Sequence, residues 1–405
     1  MIFYIARQPI FDRQKKLVAY ELLFRDGFAN AFPNVDSNEA TERLVENSEF
    51  SSGIDALTAN NKAFINFTER AICSQLPQVL PKNTIVVELL ETVPPTDEVY
   101  DAVVSLKQLG YTVALDDFEY DARWARFMPH IDIIKMDFRL MSVAQIKQQM
   151  KSHQGFEGQY LAEKVESYDE FNQSYELGFD YFQGYFFAKP EIIQRRSLSV
   201  SQKVYLELLE KVTAEQYNPD EIAHIVERDT GVSFKLLRFV NSAFFARRSK
   251  ITSLKQAVVR LGQEEVRKFV AIIATASLGE TKPNELTRLS ITRARFCEQL
   301  ALKDKRYGAE PGAAFLSGLL SKLDAMMDDE LSKILGHIHA GPTILQALIE
   351  KRGAISFFLA TAAAIERIDW QHIERAADKL KLSSSAVIAL YHEASNWAAA
   401  VNRDE

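Results

Sequence analysis

Apolar and polar positions follow two different rhythms along this chain of 405 residues. In the first half, short β-branched and aromatic runs recur: KLVAYELLF, KAFINF, TIVVELLE, TVALDDF, IDIIKMD, YLAEKV and YFQGYFF. Runs of this length and composition predict strands buried in a sheet. Between them, DEVYDAVVSLKQLG and SYDEFNQSYELG repeat apolar residues at helical spacing and stop on Gly110 and Gly178, the residue type best suited to a helix C-terminus. Alternating strands and helices predict an α/β domain with a mostly parallel sheet, open or closed into a barrel. From about Ser199 the strand-like runs vanish. SVSQKVYLELLEKV, PDEIAHIVERD, FKLLRFVNSAFF and LKQAVVRLG carry helical periodicity, punctuated by Asn218-Pro219, Gly231, Gly262, Lys282-Pro283 and Gly341-Pro342. An all-α second half is expected, with domains at 1–198 and 199–405 and no long linker between them.

Composition narrows the class. With 47% hydrophobic and 25% charged residues, the chain has material for packed cores, which excludes a disordered or fibrous protein. Cys73 and Cys297, the two cysteines, are too isolated for a disulfide scaffold or a cysteine zinc site. The longest apolar stretches, Phe269 to Leu278 and Ala354 to Ile365, fall short of the roughly 20 residues of a membrane helix. The N-terminus lacks a basic region followed by an apolar one, so a soluble, cytoplasmic protein is expected. Residues 1–200 hold 20 Lys and Arg against 29 Asp and Glu, whereas residues 201–405 hold 28 against 26. That asymmetry points to two domains with different tasks.

The acidic half places its polar residues in a pattern. Glu21, Asn66, Glu88, Asp116 with Asp117, Lys135, Glu163 and Gln183 lie near the C-terminal ends of seven successive apolar runs. In a βα-barrel those ends share one rim, where active sites lie. Five carboxylates on one rim repel each other unless protons or cations neutralise them. Oxygen ligands of this kind suit Mg²⁺ or Mn²⁺, and a set this large has room for two ions. A pair of hard cations serves in-line attack of water on a phosphodiester.

At these positions the chain resembles the EAL family of cyclic di-GMP phosphodiesterases. Gln8-Pro9-Ile10, Glu21-Leu22-Leu23 with Arg25, Asn66, Glu88-Leu89-Leu90-Glu91 and Asp116-Asp117-Phe118 stand in the family's order. Lys135-Met136-Asp137, Ala162-Glu163-Lys164-Val165-Glu166, and Gln183-Gly184-Tyr185 with Pro190 complete the series. The resemblance implies a modified TIM-like (β/α) barrel that hydrolyses cyclic di-GMP to the linear dinucleotide at a two-metal site holding Mg²⁺ or Mn²⁺. It implies Glu21, Asn66, Glu88, Asp116 and Asp117 as metal ligands. Glu163 is then a further ligand or the general base, Lys135 holds and polarises the attacking water, and Gln183 orients that water or a nearby ligand. Arg25 pairs with a phosphate; Gln8, Asp137 and Pro190 line the nucleotide groove; Glu91 supports the loop after Asp117. Three departures stand out. Phe118-Glu119-Tyr120-Asp121 lacks the glycines that the family places after Asp-Asp-Phe, Lys164 replaces a glycine, and Lys189 replaces an arginine. The barrel half is also short for the family. These changes leave open a degenerate domain that acts as a cyclic di-GMP receptor or scaffold.

The helical half resembles the HDOD domain, a relative of the HD phosphohydrolases. Leu236-Leu237-Arg238-Phe239-Val240-Asn241-Ser242, Ile251-Thr252-Ser253-Leu254-Lys255-Gln256-Ala257 with Leu261-Gly262, and Ala314-Phe315-Leu316-Ser317-Gly318-Leu319-Leu320 carry the likeness. Ser321-Lys322 stands where an HD enzyme has its His-Asp metal ligands, so a non-catalytic module for protein contacts or signal reception is expected. His337 and His339 are expected at a helix end or loop. The segment Pro219 to Ala243 also reads as a helix-turn-helix, with Arg247, Arg248, Lys250, Lys255 and Arg260 nearby. The half is too weakly basic for a DNA reader. A homodimer is expected by analogy with EAL enzymes.

Overall fold

The computed structural model describes residues 3–26, 54, 58, 60–116, 122–139, 141–153, 155–189, 200–214, 218–228, 230–241, 251, 253–303, 306 and 308–402. The chain divides into two compact units, Met1–Phe187 and Ala188–Glu405.

The first unit is a closed barrel of eight strands in sequence order. They are β1 (Phe3–Asp12), β2 (Leu17–Asp26), β3 (Lys62–Phe67), β4 (Ile85–Leu89), β5 (Thr112–Leu115), β6 (Ile133–Asp137), β7 (Gln159–Glu163) and β8 (Tyr181–Gln183). The seven apolar runs of the sequence become β2 to β8, which pair in parallel. β1 is an additional strand, antiparallel to both β2 and β8. Its reversal is local: Asp12 Oδ1 accepts from Gln14 N and Lys16 N at 2.9 Å each, and Lys15 takes a φ of 60°. A tight turn of this kind joins only antiparallel strands, so this hairpin is what modifies the barrel.

Helices α1 (Glu69–Cys73), α2 (Asp97–Leu109), α3 (Val143–Ser152) and α4 (Tyr168–Leu177) follow β3, β4, β6 and β7. Thr96 caps α2 by accepting from Val99 N at 3.3 Å. Asp97 and Glu98 sit in its first turn, favourable at the positive end of the helix dipole. Gly110 and Gly178 end α2 and α4 in the left-handed region, as their sequence positions predict.

One interior layer closes the barrel: Ile10, Ala19, Phe64, Val86, Ala114, Ile133 and Leu161, with Tyr181 packed against them. Each strand contributes one residue, so this layer forms a dry floor. What lies above it is fixed by the period of two along a strand.

Outside the floor, His153 caps α3, is 5% exposed and lies 3.1 Å from the Tyr160 hydroxyl through Nδ1. Burial pulls its pKa from 6.5 down to about 4. The unfolded chain takes up this proton near 6.5 and the folded chain only near 4. Stability is therefore full above about pH 6.5 and falls as the pH drops toward 4, by about 2 kcal/mol once residual solvent screening is allowed for. Denaturant unfolding at pH 7 and pH 4.5 should show this loss in the wild type and a smaller one in His153→Phe. An identical pH dependence in the variant refutes the assignment.

The second unit is helical throughout its described residues. It contains α5 (Val200–Thr213), α6 (Pro219–Arg228), α7 (Thr230–Val240), α8 (Leu254–Leu261), α9 (Gln263–Leu278) and α10 (Asn284–Lys303). α11 (Pro311–Leu320), α12 (Leu323–Met327), α13 (Leu331–His337) and α14 (Pro342–Leu348) follow, then α15 (Gly353–Glu366), α16 (Trp370–Leu380) and α17 (Ser384–Asn402). α10 and α11 approach closely because position 318 is glycine: a Cβ there would lie 2.5 Å from Ala294 Cα. No helix among the described residues is long and apolar enough to cross a membrane.

Candidate metal centre at the barrel mouth

Side chains two residues apart on a strand share a face. Two residues toward the mouth from the floor stand Gln8, Glu21, Asn66, Glu88, Asp116, Lys135, Glu163 and Gln183, one per strand or strand end. The register sets the neighbours: Asn66 lies beside Glu88, Gln8 beside Glu21, and Asp137 beside Glu163. Residues spread over 176 positions of sequence thus form one ring, because every strand carries its polar residue at the same height.

Lys135 is the hub of this ring. Its Nζ pairs with Glu88 Oε1 and Glu163 Oε1, and lies 3.0 Å from Asp116 Oδ1 and 3.6 Å from Glu21 Oε2. Its side chain is 1% exposed, and Glu88 is fully buried. Burial alone pulls the ammonium down, but Glu163, Glu21, Glu88 and Asp116 together hold it well above the ordinary lysine value. Burial pushes Glu88 well above the carboxylate range; Lys135 opposes that shift, while Glu21, Asp116 and Glu163 add to it. Glu163 is raised in the same way, by burial first and then by Asp116 and Glu21 against Lys135. One ammonium thus stands among four carboxylates, an excess of negative charge that a divalent cation would balance.

Three features fit a divalent cation. Glu21, Glu88 and Glu163 offer oxygens all within 4.8 Å of one another. Glu88 Oε2 and Gln183 Oε1 are buried without a hydrogen-bond partner, a costly state unless a ligand completes them. The remaining donors aim carboxylate oxygens inward: Gln183 Nε2 donates to Glu21 Oε2 at 2.5 Å and to Gln8 Oε1 at 2.8 Å, and Asn66 Nδ2 donates to Glu21 Oε1 at 3.2 Å. The set is all oxygen, as a hard cation requires.

The other residues named from sequence lie elsewhere. Asp137 is buried one layer nearer the mouth than Lys135, at the end of β6. Glu91 is exposed in the turn after β4, outside the ring. Arg25 belongs to the backbone of β2, with its side chain outside the described residues, as are Asp117, Pro190 and the altered stretch Phe118 to Asp121. Gly184 explains its own place in Gln183-Gly184-Tyr185: φ is 144° and a Cβ would lie 2.0 Å from Val165 O. The chain after Glu163 is therefore clamped onto the end of β8. Lys135 as hub is the feature that sequence reasoning missed, since only register reveals it.

In the helical unit, Ser321 and Lys322 make hydrogen bonds to other groups of the protein. Ser321 Oγ donates to Gly318 O at 2.7 Å and receives Arg293 at 3.2 Å. Arg293 forms a two-pronged pair with Glu366, at 2.7 and 2.5 Å, and Tyr391 donates to Glu366 at 3.2 Å. Burial and the Arg293 guanidinium pull Lys322 down to about 8, and its Nζ donates to Ala188 O at 2.9 Å. His337 ends α13 with Nδ1 2.9 Å from Lys333 O, while exposed His339 faces Glu210 at 3.3 Å. The two histidines serve different partners. The helix-turn-helix segment forms as α6 and α7, but Ile222, Ile225, Val226, Val232, Leu236 and Val240 are buried in the unit. Arg247, Arg248 and Lys250 lie outside the described residues.

A family model for the EAL domain matches residues 40–190, and one for the HDOD domain matches residues 198–336. Over 403 residues the chain is 38% identical to the cyclic di-GMP phosphodiesterase CdgJ of Vibrio cholerae, spanning 99% of this chain and 93% of CdgJ. The chain belongs to the EAL–HDOD family. YuxH of Bacillus subtilis is 34% identical to this EAL–HDOD protein over 98% of each chain. Among solved structures, an EAL-domain protein of Listeria monocytogenes is similar at a TM-score of 0.38, with 20% identity, over 46% of this chain and 87% of that one. BlrP1 of Klebsiella pneumoniae, in a complex with calcium and cyclic di-GMP, is similar at a TM-score of 0.39, with 19% identity, over 47% of this chain and 56% of that one.

Proposed function

We propose that the EAL domain of this protein hydrolyses cyclic di-GMP to the linear dinucleotide pGpG with two divalent cations, Mg²⁺ or Mn²⁺. The observation that carries this reading is the convergence of Glu21, Glu88, Asp116 and Glu163 on one buried point at the barrel mouth. Likeness to CdgJ over nearly the whole chain supports the same substrate. Glu21, Asn66, Glu88, Asp116 and Asp117 hold the cations in this reading. When bound, the cations supply Lewis acidity to the phosphoryl oxygens and acidify the attacking water.

The chain's own residues do the rest. Lys135, anchored by its carboxylates, keeps an ammonium at the reacting centre and polarises the attacking water. Glu163, whose affinity for a proton is raised by burial, accepts the proton of that water. Gln183, held by Glu21 and Gln8, directs its unpartnered carbonyl oxygen to the same water. Arg25 pairs with a phosphate, and Gln8, Asp137 and Pro190 border the nucleotide, roles that rest on the resemblance. The HDOD unit contributes protein contacts rather than chemistry, the chain works as a homodimer in the cytoplasm, and DNA is no partner. The domains are placed at 1–198 and 199–405 in this reading.

The test is direct. Purified protein incubated with cyclic di-GMP and Mn²⁺ or Mg²⁺ should yield pGpG on chromatography, and chelation should stop it. Saturable binding of cyclic di-GMP with no linear product replaces the enzyme with a receptor.

A further inference from the structure

Lys164 stands where the EAL pattern has glycine, and the backbone shows why glycine is natural there: φ is 56°, in the left-handed region. A side chain at such a position costs about 1 kcal/mol, and the loop does not depend on it for support. Val165 N donates to Gln183 O at 2.9 Å, Phe186 N to Val165 O at 3.2 Å and Phe138 N to Glu163 O at 3.3 Å. Main-chain bonds therefore already tie the segment after β7 to its neighbours on both sides.

The side chain of Lys164 instead reaches Asp137. Its Nζ bonds Asp137 Oδ2, while Arg139 N donates to Asp137 Oδ1 at 2.8 Å. Both oxygens of Asp137 thus have protein donors, and its side chain is 4% exposed against 54% for Lys164. What this part of the mouth presents to a ligand is an ammonium, with a carboxylate behind it. Asp137 shares its face of β6 with Lys135 and stands two residues, about 7 Å along the strand, nearer the mouth.

Resting on the functional reading above, we propose that Lys164 is a phosphate-binding residue of this EAL domain, held over the carboxylate ring by Asp137. An acidic ring admits a doubly anionic ligand only where cations intervene. Lys164 adds one on the mouth side, at a place where the EAL pattern supplies none. Asp137 then orients the lysine at the border of the nucleotide site.

Steady-state hydrolysis of cyclic di-GMP with Mn²⁺ tests this in the full chain. Lys164→Gln should raise KM about tenfold and change kcat by less than about twofold, a charge-assisted hydrogen bond being lost. Lys164→Arg should restore KM. Lys164→Gly, free of the left-handed strain, should match Lys164→Gln, which separates charge from folding. Turnover with an unchanged or lowered KM in the glutamine variant overturns the proposal and leaves the enzyme reading intact. If the wild type makes no linear product, equilibrium binding of guanosine monophosphate with Mn²⁺ decides. Weaker binding by Lys164→Gln upholds the phosphate contact without the enzyme. Equal binding by both proteins, or none by the wild type, refutes it.

Discussion

Replacing Glu21 by alanine should lower metal-dependent hydrolysis of cyclic di-GMP by more than about a hundredfold, with the barrel still folded. Glu21 is where the ring's polar contacts meet: Gln183 and Asn66 donate to its two oxygens, and Lys135 lies 3.6 Å away. Alanine removes a ligand oxygen and the carboxylate that Gln183 and Asn66 orient, so neither cation nor water is held in place. The floor beneath, from Ile10 to Leu161, is untouched, so the melting transition should survive. Glu21→Gln separates charge from shape, because it keeps an acceptor and removes the negative charge. Both variants should fail in chromatographic product assays and should bind Mn²⁺ more weakly by calorimetry. Turnover at the wild-type rate in Glu21→Ala refutes the assignment.

Lys135→Met should give the largest loss of stability. Methionine fills a similar volume but leaves Glu88, Glu163, Asp116 and Glu21 facing one another without their shared cation. Breaking a buried ion pair from one side costs about 3–5 kcal/mol, which for a unit of this size lowers Tm by about 10 °C. Two dependences identify the cause. The deficit should shrink at acidic pH, because carboxylates already raised by burial protonate readily and cease to repel. It should also shrink with Mn²⁺, and the metal should stabilise the variant more than the wild type. Thermal melts with and without Mn²⁺ at pH 5 and pH 7.5 measure both. Equal stability of the metal-free variant and wild type at pH 7.5 shows that the ammonium is not the hub.

Much of the barrel is legible in sequence because parallel strands are buried on both faces. Ile85–Leu89 and Ile133–Asp137 are buried at every position, so each reads as an unbroken run of its kind. β1 is harder to read. Its sequence FYIARQPIFD mixes charged and amide side chains with Pro9, which removes a ladder donor and argues against a strand. Its strand character comes from pairing with β2 and β8, a long-range matter. Polar residues at strand ends could be picked out along the chain, and their convergence followed once a closed barrel was assumed. The centre of that convergence could not. Which carboxylates Lys135 touches depends on register and strand stagger, neither of which a local pattern encodes. The Lys164–Asp137 pair depends on a left-handed turn that the residue type itself disfavours. In the helical unit, Gly318 in Gly-Leu-Leu was recognisable as a motif, whereas Arg293 and Glu366 are joined across 73 positions and gave no sign of each other.

The antiparallel hairpin has a consequence for biosynthesis. Ile10 sits opposite Gln183, and Gln183 reaches Gln8 across 175 positions. A ribosome must therefore release nearly the whole first unit before the circle can shut and the final amide reaches the carboxylates. Until then the emerging chain carries an open β edge on either side, exposed to wrong pairing. Competence is acquired in a single late event, so fragments ending short of β8 should be inert however well their helices form.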